Sequence, residues 1–96
     1  LPRAYHLISA WDSIFHLPLS LHEPVLHRLC GGLVPGGILL FTCGGTDHPD
    51  SITGSFEGQH FGYSSPGIPA ILRLLDACGC QCRHLEFDQW PENHVT

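Results

Sequence analysis

The fold of this chain is decided by one stretch, which reads Leu33-Val34-Pro35-Gly36-Gly37-Ile38-Leu39-Leu40-Phe41-Thr42. Pro35 fixes one backbone angle and cannot continue a helix. The two glycines after it allow turn conformations that a side chain would resist. Residues 38–41 are then continuously apolar, which is typical of a strand covered on both faces. The stretch therefore predicts the end of a helix, a tight turn and a buried strand, as in half of a βαβ unit.

The residues upstream supply the preceding strand and helix. Tyr5–Ala10 is short and rich in strand-forming residues, so it predicts a first strand. Ser20 and Glu23 have the spacing of a capping box. Apolar residues then recur at every fourth position, at Leu21, Val25, Leu29 and Leu33, with Leu26 and Cys30 beside them. This pattern predicts an amphipathic helix that begins after Ser20 and closes at residues 33–37.

The downstream half begins with a stretch that has no periodic pattern. Residues 44–65 are rich in Gly, Ser, Asp and His, which predicts a long loop or lid. Ser65 and the proline after it predict the cap and first residue of a second helix, and Gly79 predicts its end. The apolar face of this helix comprises Ile68, Ile71, Leu72, Leu75 and Cys78. Residues 83–87 alternate in polarity and predict a third strand, and residues 94–96 predict the start of a fourth.

The composition limits the possible partners and compartments. The 96 residues predict a single domain, 1–96, and they carry four Arg, no Lys and nine acidic residues, for a net charge of −5. This balance argues against binding nucleic acid or an anionic membrane through a basic face. No apolar run approaches the roughly 20 residues of a membrane span. The five cysteines are odd in number and three are clustered, which favours a cytoplasmic protein with reduced thiols.

With these elements in place, the chain resembles the C-terminal half of the class I S-adenosylmethionine-dependent methyltransferases. The resemblance rests on a strand with a polar-aromatic end and a His-Leu-Pro segment, followed by a helix that ends in Leu-x-Pro-Gly-Gly before the next strand. In this chain these residues are Tyr5-His6-Leu7-Ile8-Ser9-Ala10-Trp11-Asp12-Ser13-Ile14-Phe15-His16-Leu17-Pro18 and 33–41. The resemblance implies an α/β fold with a partial Rossmann-like sheet of three to four strands and two helices.

The chain departs from this family in two ways. His6 stands where the family usually has Asp. The Gly-x-Gly-x-Gly turn and the acidic residue that binds the ribose hydroxyls, which belong to the first strands of the family, have no counterpart here. The resemblance therefore implies a fragment of a methyltransferase that acts on a small molecule, inactive alone and with no S-adenosylmethionine expected on this chain by itself.

The resemblance also implies positions for the site. Ala10, Trp11 and Asp12 would border the cofactor, and Asp12 and His16 would face the substrate, because ligands of open α/β sheets bind at the carboxyl ends of the strands. Asp12 is equally explained as the cap of a turn, and His16 as an ordinary surface residue. His60 and Tyr63 lie in the expected lid and could contact substrate, although this loop is also explained as one that packs Phe56 and Phe61 over apolar surface. The catalytic residue stays unassigned, with His16 and His60 as candidates.

A cluster of thiols near the second helix suggests a different kind of site. Cys78, Cys80, Cys82 and His84 occupy every second position and would share one face of a strand. Structural zinc sites usually have two to four residues between paired cysteines, and Gly79 bends the chain within the cluster. We therefore predict no metal site here and interpret the cysteines as small buried apolar residues.

The missing strands lead to an expectation about assembly. In the family's sheet order the strand matching Tyr5–Ala10 is central, so in this chain one edge of that strand would be bare. A bare edge is a template for pairing with another chain. We therefore expect a homo-oligomer joined through Tyr5–Ala10. The alternative to a methyltransferase piece is a non-enzymatic α/β fragment that is stable only as an oligomer.

Overall fold

The computed structural model describes residues 4–56 and 59–96, and for residues 52–56 and 59–63 it describes the backbone alone. The elements are β1 (Tyr5–Ala10), α1 (His22–Gly31), β2 (Leu33–Phe41), β3 (Cys43–Gly44), β4 (Asp50–Phe56), β5 (Gln59–Ser65), α2 (Ile68–Ala77) and β6 (His94–Val95). Two 3-10 turns, Ile14–His16 and Leu19–Leu21, connect β1 to α1. Each α-helix has 10 residues, and in the described part of the chain no helix is long and apolar enough to cross a bilayer.

The strands form pairs, and the fold is a small α/β unit. β1 and β2 are parallel, with α1 between them in sequence. β3 follows β2 almost directly and pairs antiparallel with β6, while β4 and β5 form an antiparallel hairpin. The expected α/β class is confirmed. Instead of one sheet of three to four strands, residues 4–56 and 59–96 contain three two-stranded sheets.

The Pro-Gly-Gly segment lies inside β2, which corrects the expected end of the helix. α1 ends at Gly31, and Leu33 already pairs with Tyr5 of β1. The next aligned pair is Leu7 with Ile38, so the segment between is a bulge in β2. A Cβ on Gly37 would lie 2.9 Å from the Val34 carbonyl oxygen and 3.2 Å from that of Tyr5. Glycine is therefore needed because the bulge brings the two backbones close together.

The capping box predicted at the start of α1 does not form. The N-cap residue is Leu21, and no side chain bonds to the first turn of the helix there. The preceding 3-10 turn takes this role, because the N–H of Leu21 donates to the Pro18 carbonyl at 2.9 Å and the N–H of His22 donates to that of Leu19. The backbone N–H groups of Leu21 and His22 are thus satisfied by the preceding turn, without a side-chain cap.

Residues 44–65 are not the loop that we predicted, because they contain β4 and β5. Backbone pairing runs without a break from Asp50 opposite Ser65 to Phe56 opposite Gln59. Its glycines and serines interrupt the period-two pattern that predicts a strand. Strand formation depends on the neighbouring strand as well as on intrinsic preference, and here each strand provides the partner for the other.

The second helix begins later than predicted and ends where predicted. Its N-cap is Gly67 rather than Ser65, and a proline occupies its first turn. At the other end Gly79 has φ +83°, and its N–H donates to the Asp76 carbonyl at 3.0 Å. The N–H of Cys80 donates to the Leu75 carbonyl at 2.9 Å. These two bonds are a Schellman motif, which confirms Gly79 as the end of the helix.

The third strand expected at residues 83–87 is wrong except at its end. Phe87 forms an isolated bridge with Val95, and Glu86 and Thr96 exchange two backbone hydrogen bonds of 2.8 Å. Among the described residues no strand pairs with residues 83–85, so the alternating pattern there has nothing to pair with. The start of a strand predicted at residues 94–96 is present as β6.

The core lies on one side of the parallel strands. Its buried members are Ile14, Leu26, Cys43, Ile71 and Val95. Leu39 and Phe41 are half-buried, but Ile38 and Leu40 are 62% and 43% exposed. β2 is therefore not covered on both faces as expected, because the described elements form a layer on one side of it only.

Candidate functional site

Polar side chains meet at the carboxyl ends of β1 and β2. The N–H of Asp12, just after β1, donates to Thr42 Oγ1 at 2.7 Å, and this hydroxyl lies 3.4 Å from Asp12 Oδ1. Thr42 is completely buried, so its hydroxyl holds the backbone of Asp12 in a fixed position. This edge is where ligands bind in open α/β sheets. Asp12 thus lies at the position that the sequence predicted.

A histidine from the end of the chain links two carboxylates at this edge. His94 Nε2 lies 2.7 Å from Asp12 Oδ1, and His94 Nδ1 lies 2.6 Å from Asp88 Oδ1. Thr96 Oγ1 donates to the other oxygen of Asp88 at 3.1 Å. Because an ionised carboxylate only accepts hydrogen bonds, these two contacts favour the imidazolium form of the ring, in which both nitrogens donate. We refer to Asp12, His94 and Asp88 as the carboxylate–imidazolium cluster.

The contacts within this cluster set the charges of its members. The pKa of His94 is raised by its hydrogen bonds to Asp88 and then Asp12, although partial burial opposes the shift. The pKa of Asp88 is lowered, chiefly by its hydrogen bond to His94. With both carboxylates ionised the cluster carries one net negative charge. His94 is therefore suited to positioning Asp12 rather than to accepting a proton.

Aromatic rings surround the imidazolium. The ring of Trp11 meets His94 edge-on with centroids 6.2 Å apart, and that of Phe15 does so at 6.1 Å. The Trp11 side chain is still 57% exposed, so most of the indole is open to a ligand. Asp12 itself has φ +49°, which is unusual for a residue other than glycine and tends to occur at functional sites.

A cavity of about 420 Å³ adjoins His94, and most of the residues around it have polar side chains. Its walls include Phe15, Thr46, Asp50, Ser64, Ser65 and Glu92. A larger cleft of about 650 Å³ lies between β2 and α2, but most of its lining is apolar. We take the smaller cavity as the candidate site because it is the one that contains a member of the carboxylate–imidazolium cluster.

The other residues proposed from the sequence differ in how they relate to this site. Ala10 precedes the edge and is half-buried at the margin of the core. His16 is exposed, and its ring centroid lies 4.7 Å from that of Phe15, which itself contacts His94. His60 and Tyr63 belong to β5, but their side chains are outside the described part of the structure.

A second network, which the sequence did not suggest, lies beneath the cavity. His22 is 1% exposed, and its Nε2 lies 2.7 Å from Ser64 Oγ. Ser64 donates its own proton to the Leu17 carbonyl, so His22 Nε2 must carry the proton of this hydrogen bond. Burial lowers the pKa of His22, which is therefore neutral. The network ties the start of α1 to the end of β5.

The thiol cluster has a different geometry from the one that the sequence suggested. Among residues 4–56 and 59–96, no group of three His, Cys, Asp or Glu side chains is arranged to hold a metal ion. Cys82 Sγ lies 3.5 Å from the His84 carbonyl oxygen. Cys80 instead points to Cys30 of α1, with 3.6 Å between the two sulfur atoms.

The charges of the cluster predict how stability depends on pH. Because the pKa of folded His94 is above the ordinary 6.5, its contribution is full below 6.5 and is lost as the pH rises through the raised value. Because the pKa of Asp88 is below 3.8, its contribution is full above 3.8 and is lost as the pH falls through the lowered value. We therefore expect His94→Gln to destabilise the protein more at about pH 5.5 than at about pH 9.

Chemical denaturation of the wild type and His94→Gln at several pH values measures this difference. Adding Asp88→Asn to both proteins completes a double-mutant cycle, which separates the His94–Asp88 interaction from other titrations, including that of His22. A destabilisation that stays constant over this range would show that the raised pKa of His94 is not linked to folding.

Comparison with known proteins does not assign this arrangement to a family. The function of the site is therefore inferred from the chemistry of the cluster, the cavity and the half-exposed Trp11. No protein-family model matches the sequence, and a search of curated proteins finds no relative.

Proposed function

We propose that this chain is the C-terminal part of an S-adenosylmethionine-dependent methyltransferase that acts on a small molecule in the cytoplasm. The observation that carries the proposal is the carboxyl edge of the parallel pair β1–β2. There Asp12 is held by Thr42 and His94 next to an exposed indole. A ligand-binding edge of this kind is characteristic of open α/β sheets. A partial Rossmann-like sheet is part of the same proposal.

The residues at this edge fit one side of the cofactor. Trp11 offers an indole face on which an adenine ring can stack, an interaction worth about 1–3 kcal/mol per base. Asp12 offers a carboxylate, 48% exposed, that can accept a hydrogen bond from a hydroxyl or amine. The sequence has no Gly-x-Gly-x-Gly turn, which would bring backbone against the other side. The chain by itself should therefore bind S-adenosylmethionine only weakly.

The proposed chemistry requires little from the protein besides positioning. Bound S-adenosylmethionine supplies a methyl group that is already activated by its sulfonium. The adjoining cavity of about 420 Å³ has room for a small substrate. His94 holds the Asp12 carboxylate through a charge-assisted hydrogen bond, and Thr42 fixes the backbone behind it. Such orientation supplies much of the rate of a transfer between two bound partners.

Binding experiments test this proposal on the chain as it is. We expect no saturable heat with micromolar S-adenosylmethionine in calorimetry. At millimolar concentration we expect amide NMR shifts at Ala10, Trp11 and Asp12, because one wall of the site is present. Trp11→Ala should abolish these shifts. Trp90→Ala, which removes an indole that is 76% exposed elsewhere, should leave them unchanged.

Two outcomes would contradict the proposal. A low-micromolar dissociation constant would mean that the chain holds a complete site, and unchanged amides at millimolar ligand would mean that this edge does not take the cofactor. The gene offers an independent check. The proposal expects a strand followed by Gly-x-Gly-x-Gly upstream of Leu1, and an upstream sequence without that motif would refute it.

The rival function is a non-enzymatic α/β fragment that persists as an oligomer, and one observation favours it. Tyr5 and Leu7 of β1, with Ile38 and Leu40 of β2, form an apolar surface that is 43–62% exposed. We propose that a second copy of this chain pairs beside this surface, along the free edge of β1, whether or not the chain also belongs to an enzyme. An oligomer whose Trp11 and Asp12 amides ignore S-adenosylmethionine would favour the rival.

A further inference from the structure

Two cysteines that are far apart in the sequence meet where the two helices end. Cys30 lies in the last turn of α1, and Cys80 is the last residue of the Schellman motif that ends α2. Their sulfur atoms are 3.6 Å apart, although 50 positions separate them in the chain. A disulfide bond is about 2.05 Å long, so a modest rotation of the side chains would bring the two sulfurs to bonding distance.

The two thiols differ in their access to solvent. Cys30 is 8% exposed, and burial, together with the neighbouring Cys80 and Cys78, raises its pKa to about 12. Cys80 is half-buried and lies in an irregular segment, so it is more open to solvent than Cys30 and its backbone can adjust. A thiolate is the nucleophile in disulfide exchange, and its access controls the rate. Cys80 is therefore the thiol that should react first, and Cys30 the one that completes the bond.

We propose that Cys30 and Cys80 are a redox-active dithiol, which exchanges with low-molecular-weight disulfides such as oxidised glutathione to form an internal disulfide. This assignment is independent of the methyltransferase proposal. Redox exchange is a role for the thiols at the end of α2 that differs from both burial in the core and metal binding.

The exchange proceeds in two balanced steps. The Cys80 thiolate attacks one sulfur of the small disulfide, whose S–S bond breaks, and one small thiolate leaves and takes up a proton. Cys30 then loses its proton and attacks the Cys80 sulfur of the mixed disulfide, releasing the second small thiol. Two protein thiols are oxidised, and one small disulfide is reduced to two thiols.

The remaining cysteines provide internal controls. Cys43 lies in the core, where burial raises its pKa to about 11. Cys82 is exposed, and its sulfur contacts the His84 carbonyl oxygen. Cys78 lies close enough to influence Cys30, so it is the competing partner that an experiment must distinguish.

The disulfide would fix the relative position of the two helices. Cys30 and Cys80 both line the cleft of about 650 Å³ between β2 and α2, so the bond would close one end of it. It would also close a long loop of the unfolded chain, which stabilises the folded state. For a domain of this size we expect the melting temperature to rise by on the order of 10 °C.

The test equilibrates the reduced wild-type chain with mixtures of reduced and oxidised glutathione, then blocks free thiols and maps the peptides by mass spectrometry. We expect a product lighter by two hydrogen atoms, in which the Cys30 peptide is joined to the Cys80 peptide. The same reaction in denaturant should instead join cysteines that are close in sequence, namely Cys78, Cys80 and Cys82, because short loops close most readily.

Variants and a second measurement keep the test decisive. Cys30→Ala and Cys80→Ala should each abolish the internal disulfide and the rise in melting temperature, whereas Cys82→Ala should retain both. Because Cys30→Ala removes a buried side chain, the peptide map of the wild type remains the primary evidence. A native map that joins Cys30 to Cys78, that links only residues 78–82, or that shows no disulfide at equilibrium would overturn the proposal.

Discussion

We expect Leu26→Ala to lower the free energy of unfolding by about 3–5 kcal/mol, the upper part of the range for a truncated core leucine. Leu26 is fully buried in the middle of α1 and belongs to the same core cluster as Ile71 of α2 and Val95 of β6. The truncation would leave a cavity that these neighbours cannot easily fill, because each belongs to a different element. Urea denaturation followed by circular dichroism measures the loss.

A matched variant separates this effect from a general cost of losing a leucine. Leu85 is 40% exposed, so Leu85→Ala should change the free energy of unfolding by less than about 1 kcal/mol. Small domains have little stability in reserve, and Leu26→Ala could lack a folded baseline. Leu26→Val would then report the same position at a cost of about 1 kcal/mol. Equal losses in Leu26→Ala and Leu85→Ala would contradict the core described above.

The elements that could be predicted from the sequence are those with a local cause. β1 follows from its strand-forming residues, and Gly79 follows from the geometry that a helix end requires. The four-residue apolar period correctly indicates the helix α1 but not its buried face, which comprises His22, Leu26 and Cys30, while Leu21 is 43% exposed and Leu33 lies in β2. The start of α1 could not be predicted, because Ser20 and Glu23 have the spacing of a capping box while a 3-10 turn of the backbone leads into the helix instead. Two local solutions competed, and nothing in the spacing decides between them.

The elements that could not be predicted depend on partners elsewhere in the chain. β4 and β5 have glycines and serines where a strand pattern needs apolar residues, and each is a strand because the other lies beside it. Residues 83–85 show the converse, since they alternate well but pair with nothing in the described part. Pattern alone is therefore a weaker guide to strands than to helices in this chain.

The residues of the candidate site likewise differ in whether a local pattern or a distant partner determines their position. Asp12 was predicted because it follows β1 at the edge where ligands bind. His94 lies 82 positions from Asp12 in the sequence, and Asp88 follows an irregular segment. Their place in the site depends on the pairing of β6 with β3, which the sequence does not reveal. The available signal was the polar and aromatic composition of residues 86–94. This segment holds the Asp88 carboxylate against His94.

The apolar surface of β1 and β2 leads to the second large effect. We expect the wild type to be a homodimer at micromolar concentration, and we expect Leu7→Arg to raise its dissociation constant at least about 100-fold. Leu7 is 59% exposed, near the middle of β1, and faces Ile38, which is 62% exposed. Light scattering should show the change as a fall in mass toward the 10.5 kDa of one chain.

The edge of β1 gives the reason to expect a second copy of the chain there. Among the described residues β1 pairs only with β2, so its other edge presents unpaired N–H and C=O groups. Proteins often protect such edges with lysine, and this sequence contains none. A two-fold axis beside β1 would pair the two edges and join the apolar surfaces of both copies into one. An arginine at position 7 would then face its own like charge across the axis.

A charge placed elsewhere provides the control. Leu19 is 38% exposed and lies in a 3-10 turn outside the sheet, so Leu19→Arg should keep the wild-type mass. Because the Leu7 side chain is largely exposed, Leu7→Arg should keep the circular dichroism spectrum of the folded chain. A wild type that scatters as a single species of monomer mass would refute the dimer. A dimer that resists Leu7→Arg but dissociates with Leu19→Arg would place the interface elsewhere.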